Sequence, residues 1–259
     1  MSTEGVVSMT TKTAEQYYNS LNLSKYNFTL EEKQAICKYY NYFKDNNLPN
    51  NGAHVIPVPE EDFEEMMDYM KEYYPDACVL WGDGNSNWAC VYYQGSLRGK
   101  VAFLSHEEGG IYPLFRNITS FVDRVIQNNK DGVGTCFLHP SLNEVPYNYD
   151  YPNKNPTELE KLQTMEIIET LQAQLPSLLK ESNEAHHQAV MSICYLIPPE
   201  NLDLLIPFIN CGNMYVEQDI PFIFAFHNYR EALSTLEDAA ENGSVHVKNS
   251  AKRAISFYI

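Results

Sequence analysis

Several stretches of this chain carry residue types that could do chemistry. The run Asp83-Gly84-Asn85-Ser86-Asn87 opens like a calcium-binding loop, with oxygen donors at alternate positions. Its sixth position is Trp88, where such a loop needs a glycine for its sharp bend. Its twelfth is Gln94, where it needs a bidentate glutamate. A turn between two strands is the expected role instead, because Gly and Asn accept positive φ. Ser105-His106-Glu107-Glu108-Gly109-Gly110 sets an imidazole beside two carboxylates, the makings of an acid–base pair. It lacks the second His of an H-E-x-x-H helix, so a polar turn is expected. His186 and His187 would project about 100° apart on a helix, which makes them poor joint ligands and suits a solvated or interface pair. Cys136 and His139 have C-x-x-H spacing, but no second close pair completes a zinc set.

The most charged stretch is Glu60 to Glu72, with seven carboxylates and one Lys in thirteen residues. Acids at the start of a helix offset its positive N-terminal end, and the face they occupy is ordinarily solvated. The sharper reading is a docking stripe for a basic protein, since complementary charge speeds encounter. The whole chain leans the same way. Its 259 residues hold 34 Asp and Glu against 18 Lys and Arg, a net charge of -16. That balance argues against nucleic acid or an anionic membrane as partner, because phosphate binding needs clustered cations. It leaves open a cationic partner, which the field of the whole protein would attract. The 19 tyrosines suit either a core or a recognition surface. No Walker loop, G-x-G-x-x-G, G-x-S-x-G or kinase pattern is present, so no catalytic residue, metal or cofactor is expected. The six cysteines mostly have apolar neighbours and read as reduced, buried thiols. The N-terminus lacks the basic start and apolar core of a secretory signal, and a cytoplasmic location is the expectation.

Local patterns supply the elements that must position these residues. Residues 1–25 are polar, frayed or a short helix. Thr29-Leu30-Glu31-Glu32 is a capping box that opens a helix to about Lys44, with Ala35, Ile36, Tyr39, Tyr40 and Phe43 on one face. A second helix follows Pro59, its stripe made by Phe63, Met66, Met67, Met70 and Tyr74. Ala77–Trp81, Trp88–Tyr93 and Lys100–Leu104 read as three strands of an antiparallel meander. Ile118, Phe121, Val122, Val125 and Ile126 mark another helix, capped by Asn117 or Thr119. Residues 139–156, punctuated by four prolines, read as a connector. Helices fill the rest: one opened by Asn155 as N-cap, then segments near 184–196, 200–210, 217–227, 229–241 and 245–258. Their spacing suggests stacked pairs of a HEAT-like kind, without a convincing internal repeat. The predicted class is α+β, a bent antiparallel sheet on helices in residues 1–150, followed by a helical domain in residues 151–259.

The run from Leu80 to Tyr92, with Gly95-Ser96-Leu97-Arg98-Gly99-Lys100-Val101, Ser105-His106-Glu107-Glu108 and Pro113-Leu114-Phe115-Arg116-Asn117-Ile118-Thr119-Ser120-Phe121-Val122, resembles the SUKH superfamily, also called the Smi-Knr family. The likeness covers roughly residues 60–130, with 25–60 as an extension, and is a pattern of turns and strand edges. It implies a bent antiparallel sheet against helices and a binding role. Many bacterial members are immunity proteins that neutralise toxins, often nucleases, and fungal members regulate cell-wall synthesis.

The leading expectation is a non-enzymatic immunity protein that occludes the cationic face of a toxin. Trp81, Asp83, Asn85, Asn87 and Trp88 would lie near a sheet-edge surface, with Glu64, Glu65 and Asp68 contributing charge. The alternatives are a regulatory scaffold that binds through the helical half and a hydrolase using His106 with Glu107 or Glu108.

Overall fold

The computed structural model describes residues 12–49, 54–104, 110–132 and 157–258. They fall into two compact units, residues 12–132 and 157–258. Ser105 to Gly109, the Cys136–His139 pair, the 139–156 connector and Asn155 lie outside the described residues.

The first unit is α+β. Helix α1 (Ala14–Ser20) starts from a capping box of Thr13 and Gln16. A 3-10 turn (Leu23–Tyr26) leads to α2 (Leu30–Asp45), where Thr29 accepts from the Glu32 N–H and the Glu32 carboxylate accepts from the Thr29 N–H. Two of the helix's unpaired starting donors are thus satisfied. Glu32 also takes both arms of Arg98, at 2.8 and 2.9 Å, and the same guanidinium donates to the Asn27 carbonyl. This pins α2 to the turn that carries Arg98. Burial draws the Glu32 carboxyl upward, but Arg98 and the Thr29 donors outweigh it and hold the group below its usual range.

Strands β1 (Ile56–Pro57), β2 (Ala77–Gly82), β3 (Trp88–Tyr92), β4 (Val101–Leu104) and β5 (Tyr112–Phe115) form an antiparallel sheet in sequence order. Irregular register between Val79 and Trp81, and again between Val101 and Ala102, bends it. The three expected strands are its centre. Both outer strands contain a proline, Pro57 and Pro113, which removes a ladder donor and is tolerated at an edge. That same proline hides such strands from a reading of alternation. All six residues of β2 are buried, so both faces of the sheet are covered and its residues run apolar without alternating.

Helix α3 (Glu60–Tyr73) packs against β2. Helix α4 (Ile118–Asp131), capped by Asn117, packs against α2 and β5. Between the sheet and helices α2 and α4 sits an aromatic core in which Trp81 lies 4.8 Å from Phe121 and 6.4 Å from Tyr39, with Phe115 5.1 Å from Phe121.

The second unit is helical throughout its described residues: α5 (Glu158–Glu181), α6 (Asn183–Leu196), a 3-10 stretch (Pro199–Phe208), α7 (Met214–Phe226), α8 (Leu233–Asn242) and α9 (Val245–Ile255). The N-cap of α5 is Thr157, in a capping box with Glu160, and not Asn155 as expected. Helix α7 begins three residues earlier than its apolar stripe suggests, because Asn213 caps it. Neighbouring helices pack as α5 on α6, α6 on α7, and α9 on both α7 and α8.

Candidate functional site

The expected sheet-edge set is not a surface. Trp81 is 1% exposed and belongs to the core described above, so its ring presents nothing to a partner. Asp83 and Asn87 are buried as well. One Asp83 oxygen accepts the N–H groups of Asn85 (2.7 Å) and Asn87 (3.2 Å), and the other accepts the Asn87 amide (2.7 Å). The Asp83 N–H closes the loop on the Asn87 carbonyl. This carboxylate is consumed in holding the β2–β3 turn, whose Gly84 and Ser86 have positive φ. Trp88 is half-buried, and its ring lies against Gly82, where a Cβ would come within 2.8 Å of it. Of the five, only Asn85 stands at the exposed tip. The correction has a simple cause: in a bent, two-sided sheet the strand ends are covered, and a polar residue in a tight turn spends its hydrogen bonds on the backbone.

The three acids expected to add charge do stand on the surface, and α3 places more residues beside them. Phe63, Met67 and Met70 bury one side of this helix. Glu61, Glu64, Glu65, Asp68, Tyr69, Glu72 and Tyr73 recur at three- and four-residue spacing on the other side, and all are exposed. Met66, expected in the core stripe, is only half-buried. The rings of Tyr69 and Tyr73 pair at 4.8 Å, 44% and 56% exposed respectively. Such a pair gives apolar area and hydroxyls at little cost in side-chain entropy. Cations near the stripe are few. Lys71 bonds Asp68 at 2.8 Å and holds that carboxyl below its usual range, and Lys25 comes within 3.8 Å of Glu64. On the flank, Asp62 is pushed up by burial and by the charges of Glu61 and Glu65. The face can attract and stack on guanidinium or ammonium groups, combining carboxylates with aromatic rings.

Glu61, Glu72, Tyr69 and Tyr73 were missed as site residues, although their spacing from Glu64 and Asp68 already puts them on one helical stripe. The histidines behave differently from expectation. His186 is buried, and His187 is 2.8 Å from Asp219, its ring 5.6 Å from that of Tyr215. No local motif signals a pairing across 32 residues. Cys78, Cys90 and Cys194 are buried thiols pushed up by burial, which makes them poor nucleophiles. Among the described residues no group of three or more His, Cys, Asp or Glu could hold a metal ion, and no helix is long and apolar enough to cross a membrane.

No family model, curated protein or solved structure matches this chain.

Proposed function

We propose that this chain is a non-enzymatic protein-binding module that docks a cationic protein on the exposed stripe of α3, acting as an immunity protein that masks the nucleic-acid-gripping face of a toxin. The observation that carries the reading is the stripe itself: five carboxylates from Glu61 to Glu72 flank the exposed Tyr69–Tyr73 pair on one side of one helix. Nuclease faces are basic because they must displace counterions from phosphates, so an acidic, aromatic stripe is their physical complement. The net charge of -16 extends the attraction beyond the contact. The resemblance to the Smi-Knr family supplies the immunity role.

Candidate toxins are the products of reading frames flanking its own. Co-expression is the test. The wild type restores growth against its cognate toxin, and the triple variant Glu64→Lys, Glu65→Lys, Asp68→Lys does not, while keeping its helical circular dichroism. Failure of the wild type to protect against any flanking toxin would overturn the reading.

A scaffold role for the helical unit has one observation in its favour. Leu159 and Leu162, in the first turns of α5, are 64% and 63% exposed. Leu159→Glu with Leu162→Glu in the full chain discriminates. A partner lost through this pair and retained by the α3 variant belongs to the scaffold reading.

A further inference from the structure

A partly buried polar network joins α6, α7 and α9. Asn213, fully buried, accepts the Tyr215 N–H on its Oδ1 at 3.1 Å and so caps α7. That bond fixes which way the amide points. Its Nδ2 must then donate, to the Asn183 carbonyl at 2.7 Å and to Nδ1 of His186 at 3.1 Å. Nδ1 of His186 has to offer a lone pair, so the buried ring is neutral with its proton on Nε2. One turn further along α7, the buried carboxylate of Glu217 accepts the Gly212 N–H at 2.8 Å and the hydroxyl of Ser244, itself the N-cap of α9.

The titratable groups on the surrounding elements are accounted for. On α6 they are Glu184, which bonds the Ser182 hydroxyl, His187, which faces Asp219, and, further along the helix, Cys194 and Tyr195. On α7 they are Tyr215, Glu217 and Asp219, both carboxylates engaged as described. The loop before α7 adds the Cys211 thiol, raised by burial, the end of α5 adds Lys180 and Glu181, both exposed, and α9 carries His246, Lys248, Lys252 and Arg253.

We propose that this joint is a proton-operated latch: adding a proton to Nδ1 of His186 sets two donors face to face, breaks the Asn213 contact and frees the first turn of α7 from α6. Burial, and after it the nearness of His187, hold His186 below its usual 6.5. The released state therefore binds the proton more readily than the closed one. The latch is fully closed above about pH 6.5 and weakens as pH falls from there toward the depressed value of the closed state.

Amide hydrogen exchange in the full chain tests this. Protection of the Tyr215 N–H, corrected for intrinsic exchange, should hold from about pH 7.5 to about pH 6.5 and fall below that, with a limiting slope of about tenfold per pH unit. His186→Gln, whose side-chain oxygen can accept the same bond without titrating, should flatten that profile. Asn213→Asp keeps the cap and welcomes a protonated ring but loses the donor to the Asn183 carbonyl, so its protection should be lower overall and its pH profile reversed in sign. His227, at the other end of α7, is also lowered by burial, so His227→Gln should keep the wild-type profile. A flat wild-type profile, an unchanged slope in His186→Gln, or loss of the response in His227→Gln would each overturn the latch.

Discussion

Two acidic side chains in the first unit have opposite uses. Asp83 is turned inward and accepts three hydrogen bonds that shape one turn, whereas Glu64 and its neighbours on α3 are exposed. Asp83→Ala should cost about 2–4 kcal/mol of stability, because it strands the buried N–H and side-chain amide of Asn87 and unties the Asn85 N–H at the turn's tip. It should show as a lower urea midpoint, with partner affinity unchanged in the folded fraction. Tyr69→Ala with Tyr73→Ala should do the reverse. Exposed rings contribute little to folding, so the unfolding free energy should stay within about 0.5 kcal/mol of wild type, while affinity for a cationic partner drops by about tenfold or more. Titration calorimetry on both variants reads the contrast, and a Tyr pair that binds like wild type removes the rings from the site.

Among the elements, α2 shows how a helix start can serve as a joint. Glu32 completes the capping box and also receives Arg98 from the turn after β3, so one carboxylate orders the helix end and the sheet together. Its carboxyl is held below its usual 4.5 in the folded chain, so the stability it adds is present above that value and is lost as pH falls through the folded value. Arg98→Met should lower stability at neutral pH by about 1–3 kcal/mol and flatten the part of the acid unfolding curve below about pH 4.5. Denaturant titrations at a series of pH values check both effects, and an unchanged acid limb would mean that Arg98 does not set the Glu32 carboxyl. The helix elements were legible beforehand because their signals are local: the Thr29 and Asn117 caps, and the three- and four-residue spacing of Phe63, Met67 and Met70. Strands β1 and β5 were not, since Ile56-Pro57 is two residues long and Pro113 interrupts any alternation in Tyr112–Phe115. What makes them strands is pairing with residues far along the chain, such as Ile56 with Gly82.

At the scale of the molecule, charge is the dominant feature. A net charge of -16 gives a long-range field that a salt solution screens within a Debye length of about 10 Å at 0.1 M. Association with a cationic protein should therefore slow by about tenfold or more between about 20 mM and about 500 mM salt, with dissociation changing far less. Stopped-flow mixing measures this, and a salt-independent association rate would separate binding from the acidic field.

The sequence by itself determined the charge, the α+β class, the central meander and the acidic stripe of α3, because each follows from composition or from periods of two to four residues. Only the tertiary structure decided that Trp81, Asp83 and Asn87 are structural, that Tyr69 and Tyr73 complete the exposed stripe, and that His186 meets Asn213. Burial and hydrogen-bond partnership are properties of contacts between distant segments. A tryptophan beside a glycine-rich turn reads the same whether it faces solvent or the Phe121 ring, until the helix carrying that ring is packed over it.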